Sequence, residues 1–430
     1  MPPSPVISAG GEVPMRPDPA RRQNPLLRQW LLFGAGIGMA LVYSGYILAW
    51  TRTSGTGEGS FAEIGVVLAF GMGLIVLCAC RRETRLRLSH YASCLPLLLW
   101  LGMSFIAALA RGEGKFIAWL AFALLLFALM AHVDIARARL VEAFLVLGLI
   151  EAVAFLLFNR EALFAYAGGR GRVSFDNPAY TLSAYAMSGG LLAAVYSFVH
   201  LGRARLMSLC VLALTVTIIL GTGTRSVLAG VAVSVTVLLT LGGGMTAPGG
   251  LRRTFFTGGA VVAVMVIVPG LWARLSQTLE LVVTGLGSLS GANALERSAE
   301  GRRYFREIGL QNIADHPWAG SGFMTRQLDF PLLQAAQDFG LFLGACFIIA
   351  ALLLPGLWSL KALRHGRDAE KFIAALFILN SPRLFLHGTP YDWVTFTYLL
   401  PVYGMALCRP LPNPRPAARL PAFWPEPIDG

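Results

Sequence analysis

The chain has 430 residues, of which 56% are hydrophobic and only 13% are charged. Because soluble domains carry about 25% charged residues, this composition excludes an ordinary soluble protein. The net charge of +12 does not indicate nucleic-acid binding, since the basic residues lie in short loops between apolar runs.

The first 29 residues are rich in proline and arginine and contain no apolar stretch, which indicates a disordered tail and not a cleavable signal. Repeated apolar runs of about 20 residues then predict an all-α polytopic membrane protein. We expect twelve spans, at 30–50, 62–80, 91–110, 116–133, 140–158, 179–200, 206–221, 226–242, 254–272, 338–356, 372–387 and 392–408. Nine spans therefore lie within 30–272, a long polar segment occupies 273–337, three spans lie within 338–408, and a tail covers 409–430.

Lysine and arginine are divided unequally between alternate loops. One set of tails and loops holds 21 of the 35 basic residues, and the other holds 14, of which six lie in the long segment. The positive-inside rule then predicts that both termini are cytoplasmic and that the long segment faces outward. The loops 159–178, 221–225 and 387–392 should face the same way. We see no internal repeat, which argues against a transporter built from duplicated halves.

The long segment contains arginine and no lysine. Arginine binds phosphate or carboxylate with a planar fork, whereas lysine is a point charge, so an anionic ligand is expected here. A helix with a partly apolar face is predicted where Tyr304, Phe305, Ile308 and Ile313 follow helical spacing. The six arginines are Arg274, Arg297, Arg302, Arg303, Arg306 and Arg326.

Four further ionisable residues stand out near the outward ends of spans. Arg170 and Arg172 precede the sixth span, Arg225 lies beside a two-glycine turn, and Arg383 lies near the outer end of the eleventh span. Snorkelling to lipid headgroups is the structural alternative for such arginines. It explains Arg225 least well, because glycines bring backbone close to a ligand. We expect Glu151, within the fifth span, to pair with an arginine (Arg225 or Arg383) or to line a wet cavity.

Two residues could serve as an outward-facing general base. His316 lies in Asp-His-Pro and could equally be a loop residue or a helix terminus. Asp329 precedes Pro331, which suits the first turn of a helix, so Asp329 could instead cap that helix. The six cysteines include no Cys-x-x-Cys pair, and neither a metal site nor a cofactor is expected.

Four stretches of the chain resemble the superfamily of O-antigen ligases and Wzy-type O-antigen polymerases. Each stretch alone is weak, but their order and common outward face make the set more specific. They are Arg172-Val-Ser-Phe-Asp-Asn177-Pro178, Gly221-Thr-Gly-Thr-Arg225-Ser226, Arg302 through His316-Pro317-Trp-Ala-Gly320-Ser-Gly322, and Leu333-Gln334 through Gly340-Leu341, a run that re-enters the membrane in the family.

The chain departs from the family at several positions. The family usually has His-Asn eleven residues before the glycine that matches Gly340, and this chain has Asp329-Phe330 there. In the family's ligases that histidine is taken as the base or as an acceptor-positioning group. Its absence favours a divergent polymerase or related transferase. Gly344 also falls one residue late, and Asn-Pro-Ala replaces Asn-Pro-Asn.

The resemblance implies a GT-C-like, metal-independent inverting glycosyltransferase of the bacterial inner membrane, with a periplasmic active site. Its donor would be a glycan on undecaprenyl diphosphate, bound by Arg170, Arg172, Arg225, Arg302, Arg303 and Arg383, with Asp329 or His316 as base. We favour a polymerase of O-antigen or exopolysaccharide over a ligase that transfers glycan to lipid A-core. A lipid-linked oligosaccharide flippase and a scaffold subunit of an envelope complex are alternatives from other classes.

Overall fold

The structure is a computed structural model in which the described residues are almost all helical and none forms a strand. It describes residues 25–50, 61–79, 88–133, 135, 138–167, 178–201, 205–222, 225–241, 255, 259, 294–328, 330–386 and 388–407. The predicted all-α class is therefore confirmed for this part of the chain. The predicted ninth span, 254–272, lies outside it except for two isolated residues.

Fifteen helices are described, and we number them in chain order. The first nine are α1 Pro25–Ser44, α2 Tyr46–Trp50, α3 Phe61–Ala79, α4 Leu88–Arg111, α5 Gly114–His132, α6 Leu140–Ala167, α7 Pro178–Tyr196, α8 Arg205–Thr222 and α9 Arg225–Leu241. The others are α10 Ala294–Asp315, α11 Pro331–Ile348, α12 Leu354–His365, α13 Asp368–Asn380, α14 Arg383–Leu386 and α15 Trp393–Leu407. Short π-helical turns, Ser197–Leu201 and Ile349–Leu353, extend α7 and join α11 to α12.

Many of these helices are apolar enough for a lipid bilayer. Five described helices are long and apolar enough to cross a membrane, at Leu26–Ser44, Ala92–Arg111, Gly114–His132, Leu140–Asn159 and Pro331–His365. Shorter apolar helices cover Glu63–Cys78, Ser183–Val199, Leu206–Thr222, Gly230–Leu241 and Trp393–Leu407. Leu77, Leu157 and Leu206 are at least 70% exposed, as expected of side chains that face lipid. The protein is thus an α-helical membrane protein, and the number twelve remains a prediction.

Small residues allow several helices to pack closely. A Cβ on Gly38 of α1 would lie 2.6 Å from the carbonyl oxygen of Gly71 in α3. A Cβ on Gly148 of α6 would lie 2.8 Å from the Cα of Gly190 in α7. Such contacts replace the hydrophobic driving force that helices lack in lipid, because close backbone approach increases van der Waals contact.

Helices α9 and α13 run antiparallel in a fixed register. Gly230 lies against the carbonyl of Leu379, and the hydroxyl of Ser234 donates to the carbonyl of Ala375 at 2.7 Å. Four residues forward on one helix therefore correspond to four residues back on the other. One turn further, the register leads from Gly230 to the start of α9 at Arg225 and from Leu379 to the break at Ser381–Pro382, which precedes Arg383.

The chain breaks or bends where its helices approach one end of the bundle. The predicted first span is divided at Gly45, and the eleventh at Ser381–Pro382, where proline removes a backbone donor. Helix α11 begins at Pro331, seven residues before the predicted start of the tenth span, and bends sharply at Gly340. The predicted boundary between the long polar segment, which ends at 337, and the tenth span, which begins at 338, therefore falls inside α11.

Candidate functional site

The loop of residues 316–328, hereafter the docking loop, is hydrogen-bonded to the bend of α11. At Gly340 the backbone has φ +81° and ψ 176°, so the helical hydrogen-bond ladder is interrupted. The freed carbonyl of Gln337 accepts from Ser321 N–H at 2.7 Å, and that of Asp338 accepts from Gly322 N–H at 3.2 Å. The freed N–H of Leu341 donates to the carbonyl of Pro317 at 2.7 Å. The loop thus satisfies the backbone groups that the bend exposes.

Two glycines make this contact sterically feasible. Gly320 has φ +70°, and a Cβ there would collide with the carbonyl of Asp338. Gly340 also has positive φ, and a Cβ there would collide with the carbonyl of Trp318. Both belong to the stretches on which the family resemblance rests, so the structure brings two of those four stretches into direct contact.

Two buried glutamines hold the rest of the docking loop. The side-chain oxygen of Gln334 accepts from Leu328 N–H at 2.7 Å, and its nitrogen donates to the carbonyl of Arg326 at 2.9 Å. Gln337 donates to the same carbonyl at 3.1 Å and accepts from Asn312 of α10 at 3.1 Å. The loop is therefore tied to α10 and to the first turns of α11.

Asp338 is the centre of this network. Its side chain is 1% exposed, and its carboxylate accepts from the Tyr391 hydroxyl at 2.7 Å, from Gln334 at 2.8 Å and from Met324 N–H at 3.1 Å. A buried carboxylate is tolerated when such donors replace water. Asp338 thus joins α11, the docking loop and the turn before α15.

Tyr391 is enclosed by aromatic side chains from three parts of the chain. Its ring stacks on Trp100 of α4 at 5.7 Å and lies 5.9 Å from Phe116 of α5 and 4.6 Å from Phe323 of the docking loop. Burial and the adjacent Asp338 charge raise the pKa of Tyr391 well above its ordinary value, so the hydroxyl keeps its proton and donates. These contacts bring together two segments predicted to face outward, the docking loop and the loop 387–392, at one end of the bundle, which we call the Tyr391 end.

Arg383 is buried close to this end. It is 4% exposed, and its Nη2 donates to Asp392 at 2.5 Å. Its guanidinium lies over the ring of Tyr185 at 5.1 Å, a cation–π geometry. The second terminal nitrogen, Nη1, is buried and has no hydrogen-bond partner among the described residues. Arg383 therefore keeps one donor available within the bundle.

Glu151 does not pair with Arg383, and that alternative for its partner is wrong. The side chain of Glu151 is 1% exposed and accepts a hydrogen bond from Ser44 at 2.8 Å. Arg383 forms its ion pair with Asp392 instead. Proximity along the chain explains the difference, because Arg383 and Asp392 bracket one short turn. The side chain of Arg225, the other predicted partner, lies outside the described residues.

The structure describes the surroundings of some predicted site residues and not those of others. His316 is exposed, immediately after α10, and its backbone N–H continues the helix by donating to Asn312 at 3.0 Å. Arg302 and Arg303 lie on α10, and Arg225 begins α9, but the side chains of all three are outside the described part. Arg170, Arg172 and Asp329 lie outside it entirely.

Two expectations about the long segment can be compared directly with the structure. Pro331 occupies the first turn of α11, as predicted, and Phe330 occupies the N-cap position. Asp329, for which a capping role was the alternative, lies outside the described residues. The predicted helix around residues 302–313 is confirmed as part of α10. Its Gly309 packs on the docking loop and α11, since a Cβ there would lie 2.6 Å from Leu328 and 2.7 Å from Leu333.

Three residues of the site were missed from the sequence: Asp338, Tyr391 and Asp392. Asp338 had a usable signal, because an acidic residue in an apolar span is a functional or structural position by default.

Within the described part of the chain, no three His, Cys, Asp or Glu side chains are grouped to hold a metal ion. No protein-family model matches the chain, and no curated protein matches it either.

Proposed function

We propose that this protein is a membrane glycosyltransferase that transfers or polymerises glycan carried on undecaprenyl diphosphate. The observation that carries the proposal is the docking of Pro317–Gly322 onto Gln337–Leu341. Two sequence stretches that suggested the family on their own form one structural unit, held by three backbone hydrogen bonds. Such a unit is a rigid platform, which a site needs to hold reacting groups in place.

In the proposed reaction, a hydroxyl oxygen of the acceptor sugar attacks the anomeric carbon of the donor. The bond from that carbon to the diphosphate oxygen breaks, and the leaving diphosphate keeps the electron pair. Fixed cations near that oxygen lower the barrier because they stabilise the developing negative charge. The arginines of the long segment, together with Arg170, Arg172 and Arg225, suit this role, since each guanidinium can bridge two oxygens of a diphosphate.

The start of α9 and the break after α13 support an anion site at the same end. The α9–α13 register leads toward Arg225 on one helix and toward the break before Arg383 on the other, and Nη1 of Arg383 has no partner among the described residues. Arg383 is buried, so in this proposal its Nη1 donates to a diphosphate oxygen only from inside the bundle. Its ion pair with Asp392 keeps the guanidinium oriented.

The proton of the attacking hydroxyl goes to Asp329 in our proposal, with His316 as the second choice. The neighbours of Asp329 are well anchored: Leu328 N–H bonds to Gln334, and Phe330 is the N-cap of α11. The positive end of a helix favours a nearby carboxylate in its ionised form, which is the form a general base needs. His316 is exposed at the other end of the docking loop.

We further propose a bacterial inner-membrane location with cytoplasmic termini and a periplasmic site. Of the two activities, we favour that of a polymerase over that of a ligase. Product analysis in a deletion strain distinguishes the two. Single repeat units left on the surface glycolipid would indicate a polymerase. Long chains retained on undecaprenyl diphosphate would indicate a ligase that uses lipid A-core.

One observation favours a transporter instead, namely that Glu151 and Arg383 are ionisable and buried within the bundle. Vesicles containing the purified protein and lipid-linked glycan separate these functions. A glycosyltransferase lengthens or transfers the glycan and releases undecaprenyl diphosphate. Movement of the intact lipid between leaflets, without release, would contradict the proposal.

A further inference from the structure

A cleft whose lining includes Lys361 and His365 lies at the end of the bundle opposite Tyr391. Beyond the bend at Gly340 the chain is helical from Leu341 to His365, a rise of about 36 Å at 1.5 Å per residue. The cleft has a volume of about 200 Å³. It lies between the ends of α12 and α15 and the start of α13, and it is lined by Trp358, Lys361, Ala362, His365, Gly366, Glu370, Met405 and Ala406.

One face of α12 forms the wall of this inner cleft. Residues 358, 361, 362 and 365 follow helical spacing, so their side chains lie on the same stripe. Lys361 and His365 line the cleft one helical turn apart, and both are exposed. Arg364, on the same helix, is exposed and does not line the cleft.

The acidic residue of the cleft has a structural role. A carboxylate oxygen of Glu370 accepts the backbone N–H of Arg367 at 2.7 Å, which caps the start of α13. This bond and the positive end of the helix offset its charge locally. The cleft therefore offers an anion the hydrogen-bond donors of Lys361 and His365. The carboxylate of Glu370 is already engaged in capping α13.

The surroundings of the cleft match the edge of a bilayer. The ring of Trp358 packs edge-on against Tyr403 at 5.1 Å, and amphipathic rings are typical of membrane interfaces. Leu357 and Leu353, one and two turns before Lys361 in the direction of the membrane, are 64% and 52% exposed. An occupant could therefore place a charged group in the cleft and apolar chains along these leucines.

We propose that the inner cleft binds the phosphate of an anionic phospholipid such as phosphatidylglycerol. Basic pockets between membrane helices on the cytoplasmic side recognise lipid headgroups in this way, and the charge distribution predicts that this end is cytoplasmic. Lys361 provides the charge, His365 adds a hydrogen bond, and the aliphatic part of the lysine packs against the lipid's glycerol backbone. The inference is independent of the reaction proposed for the other end.

Native mass spectrometry of the full-length protein in detergent tests this inference. Titration with phosphatidylglycerol and with zwitterionic phosphatidylcholine should show preferential binding of the anionic lipid. Lys361→Gln should weaken phosphatidylglycerol binding about fivefold, the effect of one basic residue near an anionic surface. Arg364→Gln removes a charge from the same helix but not from the cleft, and binding should stay within about twofold of the original protein. Lys361→Arg keeps the charge and should retain binding.

Three results would overturn the inference. Equal losses for Lys361→Gln and Arg364→Gln would mean that attraction is diffuse and that no site exists. Equal binding of the two lipids would remove the role of the charge. Displacement of phosphatidylglycerol by millimolar inorganic phosphate would mean that the cleft binds free phosphate and not a lipid. If Lys361→Gln fails to fold, His365→Gln takes its place with the same expected direction of change.

Discussion

The hydroxyl of Tyr391 donates to the carboxylate of Asp338 at 2.7 Å, across 53 residues of sequence. This one bond connects the bend of α11 to the turn before α15. The same tyrosine ring is stacked on Trp100 of α4. The geometry of the docking loop is consequently coupled to helices from both the early and the late part of the chain.

Tyr391→Phe should destabilise the protein by about 2 kcal/mol. The substitution keeps the ring and its stacking but removes one donor from a buried carboxylate, and hydrogen bonds to charged groups contribute about 1.5–3 kcal/mol. Thermal unfolding in detergent measures the effect. Tyr304→Phe, at a 55% exposed position of α10, is the matched control and should change little. Equal melting temperatures for both variants would contradict the role assigned to Tyr391.

Gly320→Ala should disrupt the docking loop more than Gly112→Ala disrupts its own turn. Both glycines have φ +70°, so both substitutions introduce the same backbone strain. Only at Gly320 would the new methyl group meet another backbone carbonyl, and nothing lies within 4 Å at Gly112. Protease sensitivity of the docking loop and turnover of donor provide the two readouts. Similar losses in the two variants would show that strain alone matters and that the close approach does not.

Much of the fold could be predicted from local patterns, because hydropathy and helical spacing act over neighbouring residues. Helix α10 and the start of α11 at Pro331 are examples. The broken first and eleventh spans were not predicted, since apolar composition continues across Gly45 and across Ser381–Pro382. Hydropathy reports how long an apolar run is and does not report where its hydrogen bonds are interrupted.

The contacts of the candidate site were less predictable than its residues. The hydrogen bond between Tyr391 and Asp338 depends on how α11 packs against the turn before α15, and no local sequence pattern encodes that packing. Arg383 stood out in the sequence, but its partner Asp392 did not, because Glu151 offered a competing carboxylate. Single ionisable residues in apolar spans can be recognised from sequence, whereas their pairing is decided by tertiary structure.

Arg225→Lys should reduce turnover strongly while expression remains normal. Lysine keeps the positive charge at the start of α9 but cannot bridge two diphosphate oxygens as a guanidinium does. The expected loss is about 100-fold in kcat/KM, within the range for removing one group that stabilises a developing anion. Steady-state release of undecaprenyl diphosphate measures it. Arg364→Lys, at the opposite end, should behave as the original protein, and near-normal turnover of Arg225→Lys would argue against its diphosphate role.

Asp329→Asn should reduce turnover far more than His316→Ala. Loss of a general base typically costs about 100- to 10,000-fold, and asparagine is a close isostere that cannot accept the proton. Single-turnover rates with saturating donor separate this chemical step from binding. The reverse order of the two variants would assign the base to His316.

Release of undecaprenyl diphosphate from lipid-linked glycan by the purified full-length protein in detergent tests the central proposal most directly. Detergent micelles have no second compartment, so transport cannot contribute to the signal, and a chelator can be added to remove divalent metal ions. Mass spectrometry of the lipid and glycan fractions follows both products. The proposal predicts that undecaprenyl diphosphate appears in step with lengthened or transferred glycan, with the chelator present. Binding of the donor without release of undecaprenyl diphosphate would contradict it.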